Sequence, residues 1–441
     1  MKFKRQDTRV TALATAIAMS AMLTLSSAHA ATADNCGGVA LATCPSPFDA
    51  TLPDPKQMLT WNQSERVIGF RNDYRNYAGD VFHHGDARPL QRSPHPLKTV
   101  SYVMNGKRFT LGDYLRHQNV TGLLVLKDGK IAYRYLAAGN TDSTLWTSRS
   151  VGKSVVSTLV GIALHEGKIG SLDEPVTDYE RDLKGTAWDG VTIRQLMQHT
   201  SGMAWNEDYT NPDSDFSKLT QCEAQPGAYE CVRTLVAHLK RAHEPGTVWS
   251  YNSGGAWLLG DVLERATGMP LAAYLQQTIW KPYGMASDGV WHAYTPQQHD
   301  VGAHGFNATL DDYGRFGEFV LGGGRLPDGT KALPDGWLDD ASNWTHAKGS
   351  VSAGHPDGLY GYQWWNNAVP VGTKNVSPTP ARSLRHSLWA LGIFGQVIMV
   401  NRAEHLVIVQ WSAWPQAEPA FDTLPLEASV FYSAVAKQLG K

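Results

Sequence analysis

The stretch SVGKSVVSTLVGIALHEG, residues 150–167, predicts an α-helix that begins at a serine and ends near a glycine. Its apolar side chains recur at helical spacing and form one stripe, made of Val151, Val155, Leu159 and Ile162. Gly167 is typical of the left-handed residue that closes a helix. The stripe indicates a helix packed against a core, with its N-terminus at Ser150.

Ser150 and Lys153 form a Ser-x-x-Lys pair at the start of this helix. Residues three apart on a helix share a face, so the lysine amine can reach the serine hydroxyl. A partly desolvated lysine loses its proton near neutral pH and acts as a base, and the helix N-terminus favours a developing oxyanion. The pair therefore indicates a nucleophilic serine. A serine N-cap beside a solvated lysine has the same pattern and stays open on this motif alone.

Three further segments follow in the chain. They are IRQLMQHTSG at 193–202, PGTVWSYNSG at 245–254 ahead of LLG at 258–260, and ATLDDYGRFG at 308–317. With the Ser-x-x-Lys pair, their order and separations resemble the serine β-lactamase-related superfamily over about residues 115–435. This group holds class C β-lactamases, D-alanyl-D-alanine carboxypeptidases, esterases and the 6-aminohexanoate-dimer (nylon-oligomer) hydrolases, and the pattern is closest to the last branch.

The resemblance implies a catalytic set of Ser150, Lys153 and Tyr251. Tyr251 begins the group's Tyr-x-Ser motif, whose tyrosine shares proton transfer with the lysine and protonates the leaving group. We expect the positive charge of Lys153 to lower the pKa of Tyr251; a buried packing tyrosine is the alternative. Ser253 is a candidate substrate-binding residue, although it lacks the amide that an asparagine would offer. The backbone N–H groups of Ser150 and Ile393 form the implied oxyanion hole.

The stretch Ala390-Leu391-Gly392 stands where β-lactamases and carboxypeptidases of this group carry Lys-Thr-Gly or His-Thr-Gly. Gly392, a candidate substrate-site residue, is kept, but the cation and hydroxyl that engage a substrate carboxylate are missing. This argues against penicillin-like or D-alanine-terminated substrates and matches the nylon-oligomer and esterase branches better. Arg385 or His386 could supply a cation instead, although a surface loop is the simpler interpretation.

Aromatic side chains near the motifs are candidates for the substrate pocket. Tyr209 lies in WNEDY, residues 205–209, which resembles the flap of the nylon-oligomer branch, where a tyrosine contacts the substrate amide. Trp389, with Trp205 and Trp249, favours an apolar or extended acyl group. Packing in the core is the alternative for each of them.

The strand patterns lie near both ends of the chain. Two β-prone runs in residues 121–135 surround an Asp128-Gly129 turn and predict a hairpin, and further strands are predicted at 395–400 and 405–411. We therefore expect an α/β (α+β) fold, in which an antiparallel sheet from N- and C-terminal segments is flanked by helices and carries a large α-rich inserted subdomain. Residues 31–110 are expected to form an irregular N-terminal arm, and residues 111–441 the hydrolase domain, with its helical insertion at about 180–330.

Residues 1–30 have the pattern of a secretory signal peptide. A basic start through Arg9 precedes a mostly apolar run, and Ala28-His29-Ala30 is a small-x-small cleavage site. The run is too short and too rich in small and polar residues to span a bilayer comfortably, so we expect no integral membrane segment after its removal. A periplasmic or secreted protein follows from this prediction.

The four cysteines agree with an oxidising compartment. Cys36 and Cys44 are close in sequence, as are Cys222 and Cys231, so two local disulfides are preferred, although three pairings are possible.

Composition and missing motifs narrow the function. Hydrophobic residues make up 42% and charged residues 18%, which describes a globular chain, and a net charge of -2 gives no sign of nucleic-acid binding. The sequence holds no Gly-x-Ser-x-Gly elbow and no His-Glu-x-x-His motif. We predict an exported serine hydrolase that cleaves a small-molecule amide or ester through an acyl-enzyme on Ser150, with no cofactor and no metal. A β-lactamase or D-alanyl-D-alanine carboxypeptidase, or a catalytically weak cell-wall ligand-binding protein, are the alternatives.

Overall fold

A computed structural model of the chain describes residues 51–342, 360–366, 387–420 and 422–440. The predicted signal peptide, Cys36, Cys44, Arg385 and His386 lie outside these ranges. The strands are β1 Gly79–Phe82, β2 Gln91–Arg92, β3 Ser101–Met104, β4 Lys107–Thr110, β5 Val120–Lys127, β6 Lys130–Leu136, β7 Trp146–Thr147, β8 Gly289–Thr295, β9 His299–Asp300, β10 Phe306–Ala308, β11 Trp365–Asn366, β12 Leu388–Gly392, β13 Gln396–Asn401 and β14 Leu406–Ser412.

Helices pack around these strands, and short 3₁₀ turns and one π-helical turn, Gln276–Trp280, connect some of them. The α-helices are α1 Gln63–Arg71, α2 Leu111–His117, α3 Val151–His165, α4 Ile193–Met197, α5 Asp215–Glu223, α6 Ala228–Ala237, α7 Ser253–Thr267, α8 Leu271–Leu275, α9 Lys281–Tyr283, α10 Leu310–Leu321, α11 Trp337–Ala341 and α12 Leu424–Leu439. Among them, no helix in the described ranges combines the length and apolar composition that crossing a membrane requires.

The larger sheet joins the two ends of the chain. Its strand order in the described residues is β11-β12-β13-β14-β5-β6-β2, antiparallel except for the parallel pair β2 and β6. At its centre β14 pairs with β5, from Leu406 opposite Lys127 to Ser412 opposite Val120. The predicted hairpin, the predicted C-terminal strands and the mixed fold of helices with an antiparallel sheet are therefore confirmed.

The core lies on both faces of this sheet because successive strand residues point to opposite sides. In β13, Ile398 and Val400 belong to the same buried cluster as side chains of α3, α7 and α10. Val397 and Met399 pack on the other face with Phe431 of α12. The helix that carries Ser150 thus lies on one face of the sheet, and the closing helix lies on the other.

Two sequence expectations need correction. Within residues 51–110 the chain is not irregular, because β1 pairs with β8 and β2 pairs with β6, and α1 packs beside β7. The segment at about 180–330 is α-rich, but it also carries strands, because β8, β9 and β10 form a second sheet with β1 and β7. The strand pairs β1–β8 and β2–β6 join segments that are far apart in sequence, which local patterns do not reveal. The boundary at residue 110 stays a prediction.

Candidate active site

Ser150 stands at the N-cap position of α3, but its hydroxyl makes no capping hydrogen bond. Instead, Lys153 Nζ donates to Ser150 Oγ at 2.9 Å and to the carbonyl oxygen of Ala303 at 2.9 Å. The Lys153 side chain is 2% exposed. A serine cap beside a solvated lysine is therefore excluded, and the pair has the geometry of a nucleophile with its base.

The surroundings of Lys153 adjust its basicity. Burial lowers the pKa of Lys153 to about 8, while the charges of Glu207 and Glu223 act in the opposite direction. At pH 7 roughly a tenth of the molecules therefore carry a neutral amine, which can accept the serine proton.

The backbone just before the nucleophile is strained and is held from the N-terminal segment. Arg149 has φ +47°, in the left-handed region that a non-glycine residue rarely adopts. Its guanidinium donates to Asp73 at 3.0 Å and lies 5.2 Å from the ring centroid of Phe70, and Thr147 donates to the same carboxylate at 2.8 Å. The segment that was expected to be an irregular arm therefore positions Ser150.

Tyr251 reaches the same point from the start of α7. Asn252 caps that helix by accepting from the N–H of Gly255 at 2.7 Å, and Tyr251 precedes the cap. Lys153 Nζ, which donates to Ser150 Oγ, lies 5.2 Å from the ring centroid of Tyr251. The three predicted catalytic side chains therefore meet in one place.

The protonation state of Tyr251 differs from the sequence expectation. Burial raises the pKa of Tyr251, and the charge of Glu207 adds to this effect. The expected lowering is therefore wrong, because desolvation of the phenolate is the largest effect on this pKa. The resting group is a neutral phenol, suited to donate a proton, and the role of Lys153 as the base stays a prediction.

An aromatic wall surrounds Tyr251, and sequence reasoning missed most of it. Trp365 of the edge strand β11 stacks on Tyr251 at 5.7 Å, and Tyr360 lies edge-on to Trp365 at 4.8 Å. The ring of His199 lies 4.5 Å from that of Tyr251, and burial lowers the pKa of His199 well below its usual value. His199 is therefore a neutral ring here. In the sequence, only the position of His199 within the motif at residues 198–202 indicates that it lies near the site.

Glu207 is a second residue that sequence reasoning missed. Its carboxylate accepts from the Ser253 hydroxyl at 2.5 Å, the Ser253 N–H at 3.0 Å, the Tyr209 hydroxyl at 3.2 Å and the Trp205 indole N–H. Tyr209 and Ser253, both predicted to bind substrate, are thus linked through one carboxylate beside the catalytic set. Their contact with substrate stays a prediction.

The end of β12 adjoins the nucleophile as the oxyanion-hole prediction requires. A Cβ added at Gly392 would meet the carbonyl oxygen of Ser148 at 2.5 Å and Cβ of Arg149 at 3.1 Å. Gly392 therefore allows β12 to approach the backbone that leads into Ser150, which explains why this glycine is present. The next residue, Ile393, is placed beside the start of α3, and the role of its N–H stays a prediction.

The expectation that Trp389 binds substrate needs correction. Its side chain is 1% exposed and stacks on Tyr432 of α12 at 5.3 Å, and its indole N–H donates to Ser387. Trp389 packs in the core on the α12 face of the sheet, where it takes no direct part in the pocket. Alternate residues of a strand point to opposite faces of the sheet, so the register of β12 decides on which face Trp389 lies. The sequence does not determine that register.

One group of metal-ligand type lies elsewhere. In the described part of the chain, Asp261, Glu264 and His299 bring potential ligand atoms within 4.8 Å of one another. Arg233 already pairs with Asp261 at 2.8 Å, so a guanidinium supplies positive charge there. The group lies further along α7 than Ser253, and the catalytic set makes no use of it.

The predicted disulfide between Cys222 and Cys231 is present, with the two Cα atoms 5.3 Å apart. It joins the end of α5 to α6. Next to it, Glu223 contacts His304 Nε2 at 3.0 Å, and His304 follows the Ala303 carbonyl that holds Lys153. The disulfide thus supports the wall behind the base.

This fold and a Ser–Lys–Tyr set with a buried lysine define a serine hydrolase. The family model described as Beta-lactamase matches residues 112–430, and the chain belongs to that family.

Two of the similar proteins are named as a hydrolase and an esterase. The chain is 27% identical over 309 residues to the 6-aminohexanoate-dimer hydrolase of Paenarthrobacter ureafaciens, which covers 67% of this chain and 73% of the relative. It is 31% identical over 211 residues to esterase EstB of Burkholderia gladioli, covering 43% of this chain and 52% of the relative. A solved structure from Bacillus anthracis, provisionally named a 6-aminohexanoate-dimer hydrolase, has a TM-score of 0.72 at 19% identity, covering 88% of this chain and 99% of that one, and shows the shared fold.

Proposed function

We propose that this enzyme hydrolyses linear amides or esters with apolar or extended acyl groups, through an acyl-enzyme on Ser150, and that it acts after export. The observation that carries the proposal is the 2.9 Å contact between Ser150 Oγ and the buried Lys153 amine. Burying a lysine amine costs desolvation energy. Its hydrogen bond to a serine hydroxyl gives this burial a chemical purpose, because a desolvated lysine can act as the base for the serine.

The proposed reaction follows from the protonation states. Neutral Lys153 takes the proton of Ser150 as Oγ attacks the substrate carbonyl carbon, and the N–H groups of Ser150 and Ile393 stabilise the oxyanion. Tyr251 gives its proton to the leaving amine or alcohol as the carbonyl–heteroatom bond breaks, and Lys153 restores that proton. Water then attacks the acyl-enzyme by the same proton transfers in reverse, which releases the acid and regenerates Ser150.

The substrate class is argued from charge and shape. At the end of β12, the stretch Ala390-Leu391-Gly392 offers no cation and no hydroxyl to a substrate carboxylate. A hydrogen bond to a charged group contributes about 1.5–3 kcal/mol, so its absence weakens carboxylate-dependent substrates about ten- to a hundred-fold. The half-buried ring of Tyr251, backed by the buried side chains of Trp365 and Tyr360, instead suits an apolar chain. The named amide and ester hydrolases among the relatives support the same class.

The export part of the proposal rests on the sequence of residues 1–30 and on the cysteines. The signal pattern with Ala28-His29-Ala30 indicates a periplasmic or secreted enzyme. A disulfide between Cys222 and Cys231 agrees with an oxidising compartment.

A fluorophosphonate probe tests the proposed nucleophile without a known substrate. In the wild-type protein, Ser150 Oγ is expected to displace fluoride from the probe's phosphorus and to carry a covalent phosphonyl group, which peptide mass spectrometry locates. The Ser150→Ala variant, checked for folding by circular dichroism, is the control. Labelling elsewhere, or equal labelling of both proteins, contradicts the proposal and favours a binding protein on this fold.

A substrate panel tests the class. It consists of p-nitrophenyl butyrate, the linear dimer of 6-aminohexanoate and a chromogenic cephalosporin, measured on one preparation. We expect kcat/KM for the ester to exceed that for the cephalosporin by at least tenfold. A ratio that favours the cephalosporin contradicts the assigned class and returns the β-lactamase alternative.

A further inference from the structure

Glu207 joins two segments that border the nucleophile. Four donors reach its carboxylate, from Trp205 and Tyr209 in its own loop and from the N–H and hydroxyl of Ser253 at the start of α7. Since Tyr251 lies two residues before Ser253, the bonds to Glu207 also fix the backbone that carries the catalytic phenol.

The place of this carboxylate at a helix end stabilises its charge. The first N–H groups of a helix have no partner within the helix, and its N-terminus attracts negative charge. Glu207 accepts from one of these N–H groups, that of Ser253, in a helix of 15 residues. Burial raises the pKa of Glu207, whereas Lys153 and the donors on Ser253 and Trp205 oppose that rise. These bonds favour the ionised form.

A direct contact with substrate is the competing role for such a carboxylate. Each oxygen of Glu207 already accepts hydrogen bonds from donors within the protein. A substrate ammonium would have to displace some of these donors, and the displaced groups would then lack partners. The contacts therefore favour a role through neighbouring residues.

We propose that Glu207 is a positioning residue of the hydrolytic site: it orders Ser253 and Tyr209 around Tyr251 and supplies negative charge that balances the protonated Lys153. The proposal rests on the function proposed above.

The groups that face Lys153 come from several elements. Ser150 lies on its own helix, and Tyr251, the neutral ring of His199 and the carbonyl of Ala303 surround the amine without a full charge. Glu207 and Glu223 are the two described carboxylates whose charges raise the pKa of Lys153, and Glu207 is the stronger of them. Glu223 is also paired with His304.

The direction in which Glu207 shifts the pKa of Lys153 follows from these contacts. Burial lowers the pKa of Lys153, and the charge of Glu207 partly cancels this effect. Without that charge, the pKa of Lys153 falls further below its usual value. The neutral base then survives to lower pH, and the acidic limb of the rate profile moves down. Loss of local order alone would lower the rate without moving this limb.

The test compares Glu207→Gln with wild type, because glutamine keeps the size and one acceptor oxygen but loses the charge. The rate of fluorophosphonate labelling of Ser150 and kcat/KM for p-nitrophenyl butyrate are measured from pH 5 to 10. We expect the acidic limb to move to lower pH by about half a unit to one unit, and kcat at the plateau to fall several-fold. The exposed Glu230→Gln on α6 is the matched control and should leave both unchanged.

Ser253→Ala separates charge from order. It removes one donor to Glu207 and keeps the carboxylate, so we expect a lower kcat with the acidic limb in place. If Glu207→Gln does not fold, Ser253→Ala still tests the proposal. A shift of the acidic limb of the pH–rate profile in Ser253→Ala would contradict the role assigned to the charge of Glu207. A limb that stays in place or moves up in folded Glu207→Gln overturns the proposal. Failure of wild type to label at Ser150 refutes the proposed function instead, so the two failures are distinguishable.

Discussion

Replacing Gly392 by alanine tests whether the close approach of β12 to the nucleophile is needed for catalysis. The added Cβ would lie 2.5 Å from the Ser148 carbonyl oxygen and 3.1 Å from Cβ of Arg149. Ordinary contact begins near 3.4 Å, so the strand end must move by about 0.9 Å. The obstructing oxygen is backbone, and the residue after it, Arg149, is held by the ion pair with Asp73. The end of β12, together with Ile393, must therefore move away from Ser148 and Arg149.

The expected cost is mainly catalytic. A misplacement of about 1 Å at a catalytic group costs about a hundredfold in rate, and forcing a methyl group into a packed site destabilises a fold by about 1–3 kcal/mol. We therefore expect Gly392→Ala to lower kcat/KM for p-nitrophenyl butyrate about a hundredfold while the protein still folds. Fluorophosphonate labelling should slow in parallel, because it uses the same oxyanion site.

The matched control is Gly112→Ala in α2. There an added Cβ meets its nearest atom at 3.6 Å, in the flexible side chain of Arg116. Activity should be unchanged and the melting temperature equal or slightly higher, since alanine restricts the unfolded chain. If folded Gly392→Ala retained more than half of wild-type kcat/KM, the assignment of Ile393 to the oxyanion hole would be refuted.

Further predictions follow from the same site. Ser150→Ala and Lys153→Ala should each lower kcat by more than about a thousandfold, because a nucleophile and its base fail together; a loss under tenfold in steady-state assays would contradict the mechanism. Asp73→Asn should destabilise the fold by about 3–5 kcal/mol in urea denaturation, since it leaves the buried Arg149 charge without its partner, and an unchanged midpoint would show that the ion pair is dispensable. For wild type, kcat/KM should fall as pH drops below about 8, because Lys153 becomes protonated; a rate that is flat down to pH 6 would exclude this lysine as the base. Mass spectrometry of the exported protein should find cleavage near Ala30 and no free thiols, and four alkylatable cysteines in the native protein would exclude the predicted compartment.

The sequence predicted which side chains meet at the candidate site, and their catalytic roles stay a prediction. Ser150 and Lys153 lie one helical turn apart, and the segment around Tyr251 is a recognisable motif, so the resemblance placed all three correctly in one site. Their protonation states were not predictable. The pKa of Tyr251 depends on burial among Trp365, Tyr360 and His199, residues distant in sequence that only the fold brings together.

The errors have the same origin. Trp389 was assigned to the pocket from its position beside Gly392, but strand alternation turned its side chain towards Tyr432. Residues 51–110 lack periodicity because their strands are only two to four residues long, and β1 pairs with a strand more than 200 residues away, where Gly79 lies opposite His292. No sequence pattern marks Glu207, because carboxylates are common in polar loops. Only the structure shows that four donors converge on this one.

The pairing of β5 with β14 sets the order of events during synthesis. The two strands lie about 280 residues apart in the chain, and the nucleophile also depends on Asp73, which precedes both. A contact between such distant segments closes late in folding, because the entropy of a long loop must first be overcome. The hydrolytic site therefore cannot assemble on a partly synthesised chain. An unfolded precursor would carry no activity against the esters and amides around it, and catalysis would begin only once both halves of the sheet had met.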